Sequence, residues 1–137
     1  MRLLLDTNAY SAMKRGHAGV IDVIRRSDEV LLSVIVLGEL LYGFRHGSRA
    51  AQNTRELDSF LRTPYVTKIE VGSTTADRYA SIASSLRAKG SPIPTNDLWI
   101  AAHALETGAD LVTFDSHFHH VEGIFVVQPT DGPENVP

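Results

Sequence analysis

The sequence predicts an α/β fold on a parallel sheet, from three observations. Short apolar runs at residues 2–5, 111–114 and 124–127 are Leu-rich or β-branched and do not alternate with polar residues. That is the pattern of strands covered on both faces. Apolar stripes at helical spacing fill the intervals, and strands alternating with helices imply a parallel sheet. The length, 137 residues with 43% hydrophobic content, suits one domain around one core.

In chain order, the first strand runs through Leu3, Leu4 and Leu5 and stops at Asp6. A first helix precedes Lys14 and Arg15, and a short helix covers residues 20–26. Residues 31–33 are a strand candidate. The next helix, residues 34–44, carries the stripe Leu37, Leu40, Leu41 and Phe44. Its other face holds Ile35, Tyr42 and Gly43, so it is apolar nearly all round and is expected to be buried. Ala50, Thr54, Leu57 and Leu61 mark a further helix, and residues 65–69 another strand candidate. Ala76, Tyr79, Ala80, Ala83 and Leu86 mark a long helix with Ser73 or Thr74 available as N-cap and Gly90 past its end. A helix from Asp97 to about Thr107 has Thr95 or Asn96 to cap it. The domain is expected to span residues 1–128. The Pro- and Gly-rich stretch 129–137 is expected to be a mobile tail.

Bulk properties narrow the function. No apolar run approaches the roughly 20 residues of a membrane span. The apolar stretch after Arg2 is too short for a signal peptide, so a cytoplasmic protein is expected. There is no cysteine, which excludes thiolate zinc sites, disulfides and a Cys nucleophile. Net charge is −3, from 13 basic and 16 acidic residues. If four of those acids hold metal, the remaining twelve face thirteen bases, and local basic clusters matter more than the total.

Four acids do stand apart: Asp6, Glu39, Asp97 and Asp115. Each lies in or beside an apolar stretch, where a lone charge costs several kcal/mol unless it is paired. Asp6 and Asp115 follow strand-like runs, and ligands of open parallel sheets bind beyond the carboxyl ends of strands. Glu39 sits in the apolar helix, and Asp97 opens a helix at the rim of the sheet. Taken singly, Asp6, Asp97 and Asp115 could be helix or turn caps, and Glu39 a core ion pair with an arginine such as Arg45. Together they are better explained by one shared pocket. An all-oxygen ligand set favours Mg²⁺ or Mn²⁺, and such ions accept phosphate oxygens and activate water.

Thr7 and Asn8, and Thr113 and Ser116, stand where they could hydrogen-bond the carboxylates or metal waters. His117, His119 and His120 lack the spacing of helical zinc sites and read as a solvated loop. His103 falls opposite Asp97 on its helix and outside the pocket. No Gly-rich phosphate loop, dinucleotide fingerprint or nucleophile-elbow motif is present.

These segments together resemble the PIN-domain ribonucleases, most closely the VapC-type toxins of type II toxin–antitoxin pairs of bacteria or archaea. The matching pieces are Leu4-Leu5-Asp6-Thr7-Asn8, Gly38-Glu39-Leu40, Asn96-Asp97-Leu98-Trp99-Ile100-Ala101-Ala102-His103-Ala104, and Leu111-Val112-Thr113-Phe114-Asp115-Ser116-His117-Phe118. Each is weak alone, and the ordered set is specific, from residue 1 to about Gln128. The resemblance implies a three-layer α/β/α fold with a central parallel sheet of four or five strands. It makes Asp6, Glu39, Asp97 and Asp115 catalytic metal ligands, with Mg²⁺ as cofactor and Mn²⁺ able to substitute. It implies hydrolysis of an RNA phosphodiester by metal-activated water, transfer RNA being one candidate, leaving a 5′-phosphate and a 3′-hydroxyl. It also implies a homodimer and a VapB-like antitoxin that blocks the site. Some relatives carry an extra acid just after the Asp115 position, where this chain has Ser116 and His117.

Lys14, Arg15, Arg45 and Arg49 are candidates to track an RNA backbone. The absence of an RNP motif or an aromatic series disfavours sequence-specific reading of single strands. The apolar helix around Glu39, with Tyr42, could serve a dimer or an antitoxin helix. The alternatives are a non-catalytic PIN-like module that binds RNA or protein, which would be expected to lose site acids, and a receiver-type domain. The latter would favour a second acid near Asp6 that Thr7 and Asn8 do not supply.

Overall fold

Leu3, Leu4 and Leu5 are completely buried, and side chains buried on both faces of a strand require helices on both sides of the sheet. The computed structural model, which describes residues 1–130, places this strand, β1 (Arg2–Leu5), at the centre. The chain continues through α1 (Thr7–Lys14), α2 (Ala18–Arg25), β2 (Glu29–Ser33), α3 (Val34–Arg45), α4 (Ala50–Leu61) and β3 (Val66–Ile69). It closes with α5 (Ser73–Lys89), α6 (Thr95–Thr107), β4 (Asp110–Val112), a 3₁₀ turn (Ser116–His120) and β5 (Phe125–Val127). The five strands are all parallel, in the order β3-β2-β1-β4-β5. The chain builds outward from β1 to β3, then returns to the other side of β1. The strand order therefore reverses between β1 and β4, the crevice where open α/β sheets bind ligands.

The register fixes that crevice. Leu5 stands opposite Val112, and the Asp6 N–H donates to Val112 O at 3.2 Å. The β4 strand stops at Val112 rather than running to residue 114. There the Thr113 hydroxyl accepts from the Asp115 N–H at 3.0 Å, a side-chain turn that bends the chain off the sheet. The strand at residues 124–127 likewise begins one residue later than expected.

Three local expectations need correction. The α3 helix is not buried all round: Val36 and Leu40 are buried, while Tyr42 is 69% exposed and Gly38 and Gly43 are also exposed. It packs on α1, α4 and α6 with one stripe, and among the described residues nothing covers the other. Next, α5 begins at Ser73 with Gly72 as N-cap, so neither Ser73 nor Thr74 caps it. Thr75, in the first turn, ties back to the N-cap instead: its hydroxyl accepts from the Gly72 N–H at 3.0 Å and donates to Glu106 at 2.6 Å. Finally, α6 starts at Thr95 behind Pro94, without a side-chain cap. Pro94 takes the N-cap position with an extended ψ of 149°, so the helix begins at Thr95, Asp97 falls inside the first turn, and Asn96 is left for another bond.

At the C-terminal end, the chain reaches back onto α2. A Cβ on Gly19 would lie 1.8 Å from Thr130 O, so only glycine permits that approach. The rest of the expected tail, residues 131–137, lies outside the described residues. No helix among the described residues is long and apolar enough to cross a membrane.

Candidate active site

Each of the four acids reaches the crevice from a different element. Asp6 follows β1 and is the N-cap of α1. One carboxylate oxygen accepts from the Ala9 N–H at 2.8 Å, the other from the Thr113 hydroxyl at 2.5 Å. Asp115, beyond β4, caps the 3₁₀ turn through the His117 N–H at 3.4 Å. The capping role and the site position therefore coincide in both residues. Glu39 comes from α3, part-buried, with Thr7 Oγ1 donating to Oε1 at 2.5 Å and Asn96 Nδ2 to Oε2 at 3.3 Å. Asp97 comes from the first turn of α6.

The electrostatics tie the four together. Burial pushes the Asp6 carboxyl above its ordinary value, against the hydrogen bonds from Thr113 and Ala9, while the charges of Asp97 and Asp115 push it up further. Burial also raises Asp97; His117 pulls it down, and Glu39 and Asp115 push it up. Asp97 is thus raised by Glu39 and Asp115 and itself raises Asp6. Carboxylates that raise one another in a crevice are a site with excess negative charge, and a cation relieves it.

His117 is the residue that sequence reasoning placed wrongly. It does not lie in a solvated loop. Its Nε2 stands 2.8 Å from Asp97 Oδ2 and its Nδ1 2.9 Å from Asp115 Oδ1. The Nε2 atom is buried with no hydrogen-bond partner, so the 2.8 Å contact is close without being an aligned hydrogen bond. Asp115 caps a 3₁₀ turn, and that tight turn folds the second residue after the cap back onto the acids. His119 and His120, further round, are exposed, as expected. The legible signal was the Asp-x-His spacing after a strand end.

The remaining candidates divide. Thr7 and Thr113 hold Glu39 and Asp6 as described. Asn8 is exposed on α1 and Ser116 is exposed at the start of the turn; Asn96 occupies the supporting role expected of Asn8. His103 is buried away from the acids, its Nδ1 2.9 Å from Ser33 Oγ and its Nε2 3.0 Å from Glu70 O. Lys14, Arg15, Arg45 and Arg49 are all exposed, and Lys14 is engaged by Glu56 at 3.4 Å. Beside Glu39 opens a groove of about 660 Å³ lined by Thr7, Val34, Ile35, Gly38, Tyr42 and Asn96.

Comparison with known proteins establishes the family. The PIN domain family matches residues 3–124. The chain belongs to the PIN-domain family. Within it, Ribonuclease VapC2 of Rickettsia felis is 32% identical over 117 residues, covering 82% of this chain and 86% of the relative. Ribonuclease VapC1 of Haemophilus influenzae is 30% identical over the same extent. The chain is therefore a VapC-type PIN domain. Its fold matches a chain of the Rickettsia felis VapBC2 complex bound to a promoter DNA fragment, with TM-score 0.82 and 28% identity, covering 93% of this chain and 98% of that one. VapBC-1 of nontypeable Haemophilus influenzae gives TM-score 0.82 at 26% identity, covering 93% and 97%. A five-stranded parallel sheet flanked by helices is the PIN-like architecture the sequence predicted.

Proposed function

We propose that this VapC-type PIN domain is a metal-dependent endoribonuclease, the toxin of a toxin–antitoxin pair, with Asp6, Glu39, Asp97 and Asp115 as its catalytic acids. One observation carries the reading: the Thr113 hydroxyl ties Asp6 to the Asp115 backbone, and Asn96, beside Asp97, bonds Glu39, so the four acids converge on one crevice. The donor set fits a hard divalent cation, Mg²⁺ with Mn²⁺ able to substitute, because it offers carboxylate oxygens whose mutual repulsion a cation relieves. When bound, such an ion lowers the pKa of water and stabilises charge on the phosphate and leaving oxygen.

The chain's own residues supply the rest. Thr113 and the Ala9 N–H hold both oxygens of Asp6, so that carboxylate cannot rotate away. Thr7 and Asn96 hold Glu39 from two sides, which fixes its direction across the crevice. Arg45 follows Glu39 by six residues, about 9 Å along α3 at 1.5 Å per residue, and with Arg49 it provides positive charge for an RNA backbone. Lys14 and Arg15 stand at the far end of α1, where Glu56 already shares Lys14.

The relatives assembled as VapBC complexes support a VapB-like antitoxin as partner of this chain. The groove beside Glu39, with exposed Tyr42 at its lip, is where an apolar antitoxin segment would cover the acids. The open stripe of α3 also suits the homodimer expected from the sequence. A non-catalytic PIN module would be expected to have lost site acids, and all four are present here.

Asp97→Asn tests the reading. It keeps size and hydrogen-bonding capacity but removes one charge from the centre of the set. RNA cleavage by the purified variant should fall at least about 100-fold, since even groups that merely support metal ligands contribute 10–100-fold. Growth arrest on induction should disappear while thermal stability persists. Wild-type cleavage rates in the folded variant would sink the mechanism.

A further inference from the structure

We propose that His117 is a nitrogen ligand of the site's cation, completing a mixed set with Asp97 and Asp115 that favours Mn²⁺ over Mg²⁺. The inference rests on the metal-dependent reading above and deepens it.

Three donors, one from each residue, lie within 4.8 Å of one another. The imidazole is wedged between the two carboxylates, at 2.8 Å and 2.9 Å. Adjacent donors around an octahedral ion with bonds of roughly 2.1 Å are separated by √2 times that length, about 3.0 Å. The Nε2–Asp97 spacing is close to that value, while the other ring nitrogen, Nδ1, is turned to Asp115 as the hydrogen-bonding nitrogen of a metal-bound histidine is. Nε2 is buried, faces Asp97 across that contact and makes no aligned hydrogen bond. A buried, unsatisfied nitrogen costs free energy. Here it faces a carboxylate oxygen, an arrangement that a shared cation satisfies. The backbone supports it: the His117 N–H caps onto Asp115 at 3.4 Å, and neighbouring Phe118, 1% exposed, anchors the turn in the core.

The chemical consequence is selectivity. Mg²⁺ is a hard ion that favours oxygen ligands, whereas imidazole nitrogen suits the later first-row ions. Glu39 and Asp6 remain oxygen donors, each within electrostatic reach of Asp97. The nitrogen therefore enters beside Asp97 and Asp115 and biases whichever ion sits there.

The test reads metal binding itself, with the full chain, MnCl₂ and MgCl₂. Electron spin-echo modulation of bound Mn²⁺ should show a directly coordinated imidazole nitrogen in the wild type. The signal should vanish in His117→Ala and His117→Gln while Mn²⁺ still binds. By calorimetry, the Mn²⁺-over-Mg²⁺ affinity ratio should be about tenfold greater in the wild type than in His117→Asp, within the 10–100-fold range of ligand-shell changes. Mn²⁺ binding without nitrogen coupling, or an unchanged ratio, would overturn the ligand assignment and leave the nuclease reading standing. Failure of the wild type to bind either ion would overturn both.

Discussion

Replacing Thr113 by valine removes a single hydroxyl and keeps the side chain's shape. That hydroxyl joins two of the acids. It donates to Asp6 Oδ2 at 2.5 Å and accepts from the Asp115 N–H at 3.0 Å. Thr113 is fully buried and Asp6 is 6% exposed, so water cannot readily take its place. A hydrogen bond to a charged group contributes about 1.5–3 kcal/mol and a neutral one about 0.5–1.5 kcal/mol. The metal-free variant should therefore lose about 2–4.5 kcal/mol at neutral pH. Urea unfolding followed by circular dichroism measures this, with an unchanged m-value showing that the same surface is exposed. The loss should also depend on pH. Burial already raises Asp6, and the Thr113 bond opposes that rise, so its removal raises the folded-state value further. A carboxyl that binds its proton more tightly folded than unfolded destabilises the fold once it is ionised. The deficit against wild type should be full at neutral pH and shrink as pH falls through the raised value. A loss under about 0.5 kcal/mol, the range of ordinary surface substitutions, would refute the argument, and so would a loss of the same size at every pH.

Three further outcomes follow from the same geometry. Asp6→Asn removes a buried charge yet keeps polar atoms for Ala9 and Thr113. Without metal it should equal or exceed wild-type stability at neutral pH, and the gap should close on acidification, when wild-type Asp6 takes up its proton; a variant less stable than wild type at pH 7 counts against the charge penalty. The Tyr10 hydroxyl is buried without a partner among the described residues, and burial with the Glu56 charge pushes its pKa up to about 12. Tyr10→Phe should be neutral or stabilising by up to about 1 kcal/mol in urea unfolding, and a clear loss would reveal a bond to that oxygen. Arg45→Ala should weaken RNA binding and reduce the salt dependence by about 0.7–0.9 per lost phosphate contact, whereas an unchanged slope removes Arg45 from the RNA path.

The β1 and β4 runs were legible because their residues are buried on both faces, which leaves a continuous apolar signature; β5 carries a similar apolar run but is an edge strand with Phe125 69% exposed. Their ends were less so. β4 stops early through a hydroxyl-mediated turn at Thr113, and α6 starts early behind Pro94, each decided by a single residue. For α3, composition implied burial all round, yet only the stripe facing its neighbours is covered. Composition cannot distinguish a face that packs within the chain from one left for a partner.

By itself, the sequence determined which carboxylates stand at element ends and in what order. Strand ends and helix starts follow from local periodicity, and so Asp6, Glu39, Asp97 and Asp115 could be named from it. The tertiary structure decided what meets them. Parallel pairing of β1 with β4, distant in the chain, sets Thr113 against Asp6. The crossing of α3 and α6 sets Asn96 against Glu39. A 3₁₀ turn brings His117 between Asp97 and Asp115. Those contacts depend on register and packing between remote segments, which no local pattern encodes.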